Sequence, residues 1–158
     1  MYNKIMVPLD GSELAECVLP HVEAIASGGQ VSHVVLVRVV DPIRLPASVP
    51  ARGNFGFTEK DRQQLEKHRK EAAEAYLKKI VDSLDVKGAN LSYATLEGKV
   101  ADSLVDYAIN NNVDLIVIAS HGRSGVSRWV LGSVADRMVR SSCVPVLMIR
   151  APGCEPRL

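Results

Sequence analysis

The chain has no excess of charge of either sign: 19 lysines and arginines stand against 18 aspartates and glutamates, a formal net charge of +1. That balance leaves no electrostatic footprint for DNA or RNA and no polybasic patch for a membrane surface, so neither is expected as a partner. Apolar runs long enough to cross a bilayer are absent. The opening MYNKIMVPLDGS lacks the apolar stretch and small-residue cleavage site of a secretion signal. Cysteine is scarce: Cys17, Cys143 and Cys154 are odd in number and without CxxC spacing. Reduced thiols and a cytoplasmic location are expected, with Cys17 and Cys143 as core thiols in their apolar segments. His21, His33, His68 and His121 show neither HxH nor HExxH spacing, which removes a zinc-type site. No GxSxG surrounds a serine, and Gly98-Lys99 lies outside any Walker A pattern.

What remains is an ordinary globular composition, 47% apolar and 23% charged over 158 residues, enough for one domain with one core. That domain is expected over residues 1–150, with 151–158 (Pro152, Gly153 and Pro156 among them) as a flexible tail. Residues 4–9 form a short apolar run closed by Asp10-Gly11-Ser12, a strand leading into a helix. The helical spacing of Leu14, Val18, Leu19, Val22 and Ile25 predicts a helix that Pro20 kinks. VSHVVLVRVV (31–40) reads as a strand buried on both faces. Residues 41–57, with three prolines, two glycines and no period, read as a mobile lid-like loop. Thr58 to Asp61 resembles a capping box that opens a long helix to about residue 84, its apolar face Leu65, Tyr76, Leu77, Ile80 and Leu84. The charges of EKHRKEAAE are assigned to its solvated face. Strands at 90–96, 115–120 and 144–149 alternate with helices at 100–111 and 133–140.

Strands alternating with helices predict parallel βαβ units with right-handed crossovers. The expected α/β fold is a single-domain open five-stranded parallel sheet, order 3-2-1-4-5, with helices on both faces. Its topological switch point lies between strands 1 and 4, where such sheets bind ligands. The two loops with the most distinctive composition leave those same strands. One is Pro8 to Ser12. The other runs from Ala119 to Ser133, with Gly122 and Gly132 inside it, and ends at a helix N-terminus suited to phosphate.

These segments together resemble the universal stress protein (UspA-like) family: KIMVPLDGS, VVLVRVVDP, DLIVIASHG, GRSGVSRWVLGSVADRMV and CVPVLMI. The ATP-binding branch of that family spaces its loop as glycine, two residues, glycine, nine residues, then glycine and serine or threonine. Gly122, Gly132 and Ser133 match it; Ala119 stands in place of the first glycine. If that position needs a positive φ, the alanine would lower affinity. The resemblance implies that Pro8, Leu9 and Asp10 line the adenosine end and that Val39 faces adenine. It implies that Gly122, Gly132, Ser133 and Val134 hold phosphates, with Arg123 and Arg128 within reach of the outer ones. The implied ligand is ATP, with Mg²⁺ or Mn²⁺ bridging its phosphates and offsetting Asp136.

Blander roles compete residue by residue. Ser133 to Asp136 also fits a capping box, Asp10 could cap the first helix, and His121 could be a loop histidine on backbone or solvent. Trp129 suits packing, at a subunit contact for instance. The expected function is a nucleotide-binding regulatory or sensing module of a stress response. A slow ATP hydrolase or phosphotransferase is the alternative, though the loop supplies no evident general base. A dimeric scaffold without nucleotide is the third reading, favoured only by Ala119. The apolar last strand, Val144 to Ile149, falls at the sheet edge and is expected to pair with a second copy in a homodimer, as relatives do.

Overall fold

In a computed structural model, residues 2–29, 31–42, 58–121 and 132–150 are described. The apolar runs become strands β1 (Lys4–Pro8), β2 (His33–Val40), β3 (Asn90–Glu97), β4 (Leu115–Ala119) and β5 (Val146–Ile149). Between them stand helices α1 (Glu13–Glu16), α2 (Leu19–Gly28), α3 (Glu59–Ser83), α4 (Val100–Asn110) and α5 (Ser133–Ser141). All strands pair in parallel in one sheet, order β3-β2-β1-β4-β5, as the alternation requires. Most of the loop at 41–57, the glycine-loop residues Gly122, Arg123, Arg128 and Trp129, and the tail at 151–158 lie outside the described residues.

The two-residue period of the strands sorts their side chains between two cores. Ile5, Val7, Val34, Leu36, Leu115 and Val117 meet α1, α2 and α3 on one face. Met6, Val35, Val37, Ile116 and Ile118 meet α4 and α5 on the other. Strand β1, buried on both faces and flanked by β2 and β4, is the axis of the domain.

Local chemistry corrects several expectations. Pro20 does not kink a continuous helix. The segment divides into α1 and α2, and Pro20 sits in the first turn of α2, where a missing N–H costs nothing. The capping box of α3 forms as expected: Asp61 N donates to Thr58 Oγ1 at 3.2 Å and Thr58 N to Asp61 at 2.8 Å. Leu65 falls outside the buried face, at 42% exposure, because the N-terminal half of α3 carries its charges on every side; Ala73, Leu77 and Ile80 are buried instead. Cys17 is half-buried, and burial pushes its thiol up, but Cys143 is exposed on the turn before β5 rather than in the core. Among the described residues no helix is long and apolar enough to cross a membrane.

Leu77 is fully buried and ties α3 to the first core. Leu77→Ala should lower unfolding free energy by about 2–5 kcal/mol, measured by urea titration. A loss below about 1 kcal/mol would mean that α3 is not an integral wall of this core.

Candidate functional site

Chain direction opens a crevice in this sheet. After β1 the chain turns to α1 on one face; α5, which follows β4 in the chain, packs on the other. The C-terminal ends of the two neighbouring strands therefore part, and a cleft of about 540 Å³ lies above them. That volume is in the ordinary range for a small-molecule site.

The β1 end is ordered by a short hydrogen-bond chain. Leu9 N donates to Val37 O at 2.8 Å, which prolongs the β1–β2 pairing. Asp10 Oδ1 accepts Ser12 N at 3.0 Å and the Ser12 hydroxyl at 2.6 Å, while Ser12 Oγ accepts Ala15 N at 3.2 Å. Ser12, not Asp10, caps α1; the carboxylate orients the cap from the cleft side. Gly11, at φ +88°, makes the tight turn between them.

The β4 end is equally close-packed. Ala119 is buried in the strand, and the only positive φ of a described non-glycine residue belongs to Asn112. No glycine is demanded at Ala119, so this departure from the loop pattern carries no backbone penalty. Ser120, 4% exposed, donates its N–H to Ile149 O at 2.7 Å, and its hydroxyl lies 3.1 Å from His121 Nδ1. Gly132 N donates to Ser120 O at 2.9 Å, and a Cβ on Gly132 would stand 2.9 Å from that same oxygen. Glycine here lets the start of α5 dock on the end of β4.

That docking changes the roles expected at α5. Gly132 is the N-cap and Ser133 the first helical residue, so the capping box of Ser133 with Asp136 does not form. Asp136 instead pairs with Arg140 at 2.8 Å, which already offsets its charge without a cation. Among the described residues no side chain caps this helix, and the first-turn amides of Ser133, Val134 and Ala135 border the cleft. Such amides, with the dipole behind them, favour an anion.

The cleft has two unlike sides. Val39, Val100, Leu104, Ile118 and Val134 make an apolar side over the second core. Asp10, Arg38, Asp41 and Arg69 make a polar side toward α3. Thus Pro8, Leu9, Asp10, Val39, Ala119, Gly132, Ser133 and Val134 are gathered around one cavity. Arg38 and Arg69 were not singled out by sequence. Arg38 had a signal, a lone charge inside VVLVRVV; Arg69 had none, since it is one of many charges along α3. Tyr76 of α3 donates its hydroxyl to Glu16 at 2.9 Å, and burial, then that bond, push its phenol up, keeping it a neutral donor. Among the described residues no cluster of three His, Cys, Asp or Glu could hold a metal ion.

Comparison with known proteins bears on this cavity. A model of the universal stress protein family matches residues 1–150. The universal stress protein MJ0531 of Methanocaldococcus jannaschii is 30% identical over 155 residues, 98% of this chain and 86% of its own length. The solved structure of MJ0577 from the same organism has a TM-score of 0.79 and 27% identity, over 97% of this chain and 99% of that one. A universal stress protein family protein of Arabidopsis thaliana, solved with AMP bound, has a TM-score of 0.62 over 96% and 93% of the two chains; at 16% identity that likeness is one of fold.

Because the methyl of Ala119 packs in the core and its backbone is extended, Ala119→Gly should cost about 0.5–1 kcal/mol of stability. It should leave the affinity of any cleft ligand within about twofold, since no close approach is gained. Denaturant titration and calorimetry test the two halves; a several-fold gain in affinity would mean that the methyl obstructs the ligand.

Proposed function

The chain belongs to the universal stress protein family, and on that footing we propose that it binds an adenine nucleotide, ATP foremost, as a regulatory or sensing module of a stress response. The observation that carries the reading is the cleft itself. It joins an apolar slot, a carboxylate and a helix N-terminus that no described side chain caps, at the switch point of the sheet. An adenine ring suits the slot beside Val39, Val100 and Leu104, where burial of its faces supplies affinity. Asp10 suits a hydroxyl or amino donor of the nucleoside. The amides of Ser133 and Val134 and the Ser133 hydroxyl suit the phosphates. The AMP bound to the Arabidopsis relative is of the same chemical class. A divalent cation, Mg²⁺ or Mn²⁺, would be carried by the phosphates, because the described residues offer no ligand cluster of their own. Gly122 and Arg123 belong to the proposed site by motif alone.

Calorimetry with ATP in the presence of Mg²⁺ should give one site per chain. Ser133→Ala, which removes a single exposed hydroxyl, should weaken binding about fivefold, the loss of roughly 1 kcal/mol expected of one hydrogen bond. No heat with ATP, ADP or AMP would end the proposal.

Assembly is the second part of the reading. Among the described residues strand β5 ends the sheet with an unpaired edge and leaves Leu147 and Met148 at 39% and 38% exposure. No charge interrupts it. We propose that this edge pairs with its copy across a two-fold axis. Ile149 packs against the core, so the test falls on its neighbours. Light scattering should give a dimer for the native chain and a monomer for Leu147→Lys with Met148→Lys. A native monomer at micromolar concentration would refute the pairing.

A further inference from the structure

Arg38 is the one charge in an otherwise apolar strand, and its guanidinium is held in place by packing. The backbone of Gly11 comes so close that a Cβ there would lie 3.1 Å from Cζ, Nη1 and Nη2 alike, so the loop rests on the face of the group. The guanidinium also lies over the ring of Tyr76, with Cζ 5.0 Å from the ring centroid. Loop and ring thus both pack against the guanidinium and restrict where it can move. Its five N–H donors lie along its edge, and among the described residues none of them is taken by a hydrogen bond or ion pair.

Arg38 lines the cleft, and so does Arg69 from α3. Among the described residues neither forms an ion pair. Of the acidic groups around them, Asp10 and Glu16 have other engagements, while Asp41 lines the same cleft. Asp10 Oδ1 takes both the N–H and the hydroxyl of Ser12, and Glu16 takes the hydroxyl of Tyr76. Asp41 stands exposed at the end of β2. A guanidinium already ordered by its packing, with its fork unspent, is suited to a pair of oxygen acceptors such as those of a phosphate.

The position of this edge narrows the ligand. Arg38 and Arg69 lie on the α3 side of the cleft with Asp10, whereas the start of α5, which no described side chain caps, lies on the opposite side with Val39. One small molecule can meet both only if it carries anionic groups at two separate places. On a nucleotide whose 5′ chain meets α5, the second place is a ribose hydroxyl. Resting on the adenine-nucleotide reading of the cleft, we infer that Arg38, assisted by Arg69, recognises a second phosphate carried on the 2′ or 3′ oxygen of the ribose.

The test compares AMP, adenosine 2′,5′-bisphosphate and adenosine 3′,5′-bisphosphate by calorimetry on the full chain. One bisphosphate should bind at least about tenfold tighter than AMP, as a charge-assisted bidentate contact implies, and which one reports the oxygen concerned. Arg38→Met should erase that preference, bringing the bisphosphates down to the affinity of AMP for the same variant. Arg69→Met, on an exposed helix face, should reduce it and remains informative if Arg38→Met does not fold. Two bisphosphates no tighter than AMP would overturn the inference while leaving the nucleotide site intact. So would an equal loss for all three ligands in Arg38→Met, which would make Arg38 a prop for the Asp10 turn. Absence of binding by AMP and ATP together would remove the nucleotide reading and this inference with it.

Discussion

The opposite turns of the chain around the adjacent ends of β1 and β4 govern everything else in this molecule. A parallel sheet requires crossovers, and right-handed crossovers send successive helices to one face until the strand order reverses. Here the reversal falls between β1 and β4, so α1 and α5 cover opposite faces, and among the described residues no helix or strand closes the gap between them. Backbone groups at the strand ends and the α5 N-terminus then border one space. The site follows from the topology before any side chain is chosen.

Side-chain alternation along β2 gives that space its two sides. Val37 and Val39 point to the core under α4 and α5, while Leu36 and Arg38 point to the core under α3. The apolar side thus continues a core and is dry by construction. On the other side the strand runs out of apolar partners at its end. A charge is tolerated there because Tyr76 and the Gly11 backbone pack against it. One residue of register decides which side is which.

Small residues at the rim have unlike reasons for being small. Gly11 is required by a positive φ and by the guanidinium against it. Gly132 has an ordinary φ of −56° and is required by the carbonyl of Ser120, a contact of backbone with backbone. Ala119 needs neither freedom, lying in regular strand with its methyl in the core. A glycine pattern read from sequence merges these cases; the contacts separate them.

By itself the sequence determined the elements, their parallel order and the strand ends that flank the cleft, because these depend on local period and on the chirality of crossovers. The capping box at Thr58 was legible for the same reason, being closed within four residues. The kink at Pro20, the cap at Ser133 and the burial of Cys143 were misread, since each depends on what lies across a turn or beyond a helix end. Tertiary structure alone decided that Arg69 reaches the cleft and that Arg38 packs against Gly11 and Tyr76. It also decided that Gly132 is needed by Ser120. Those are contacts between residues far apart in the chain, and a one-dimensional pattern holds no term for the distance between them.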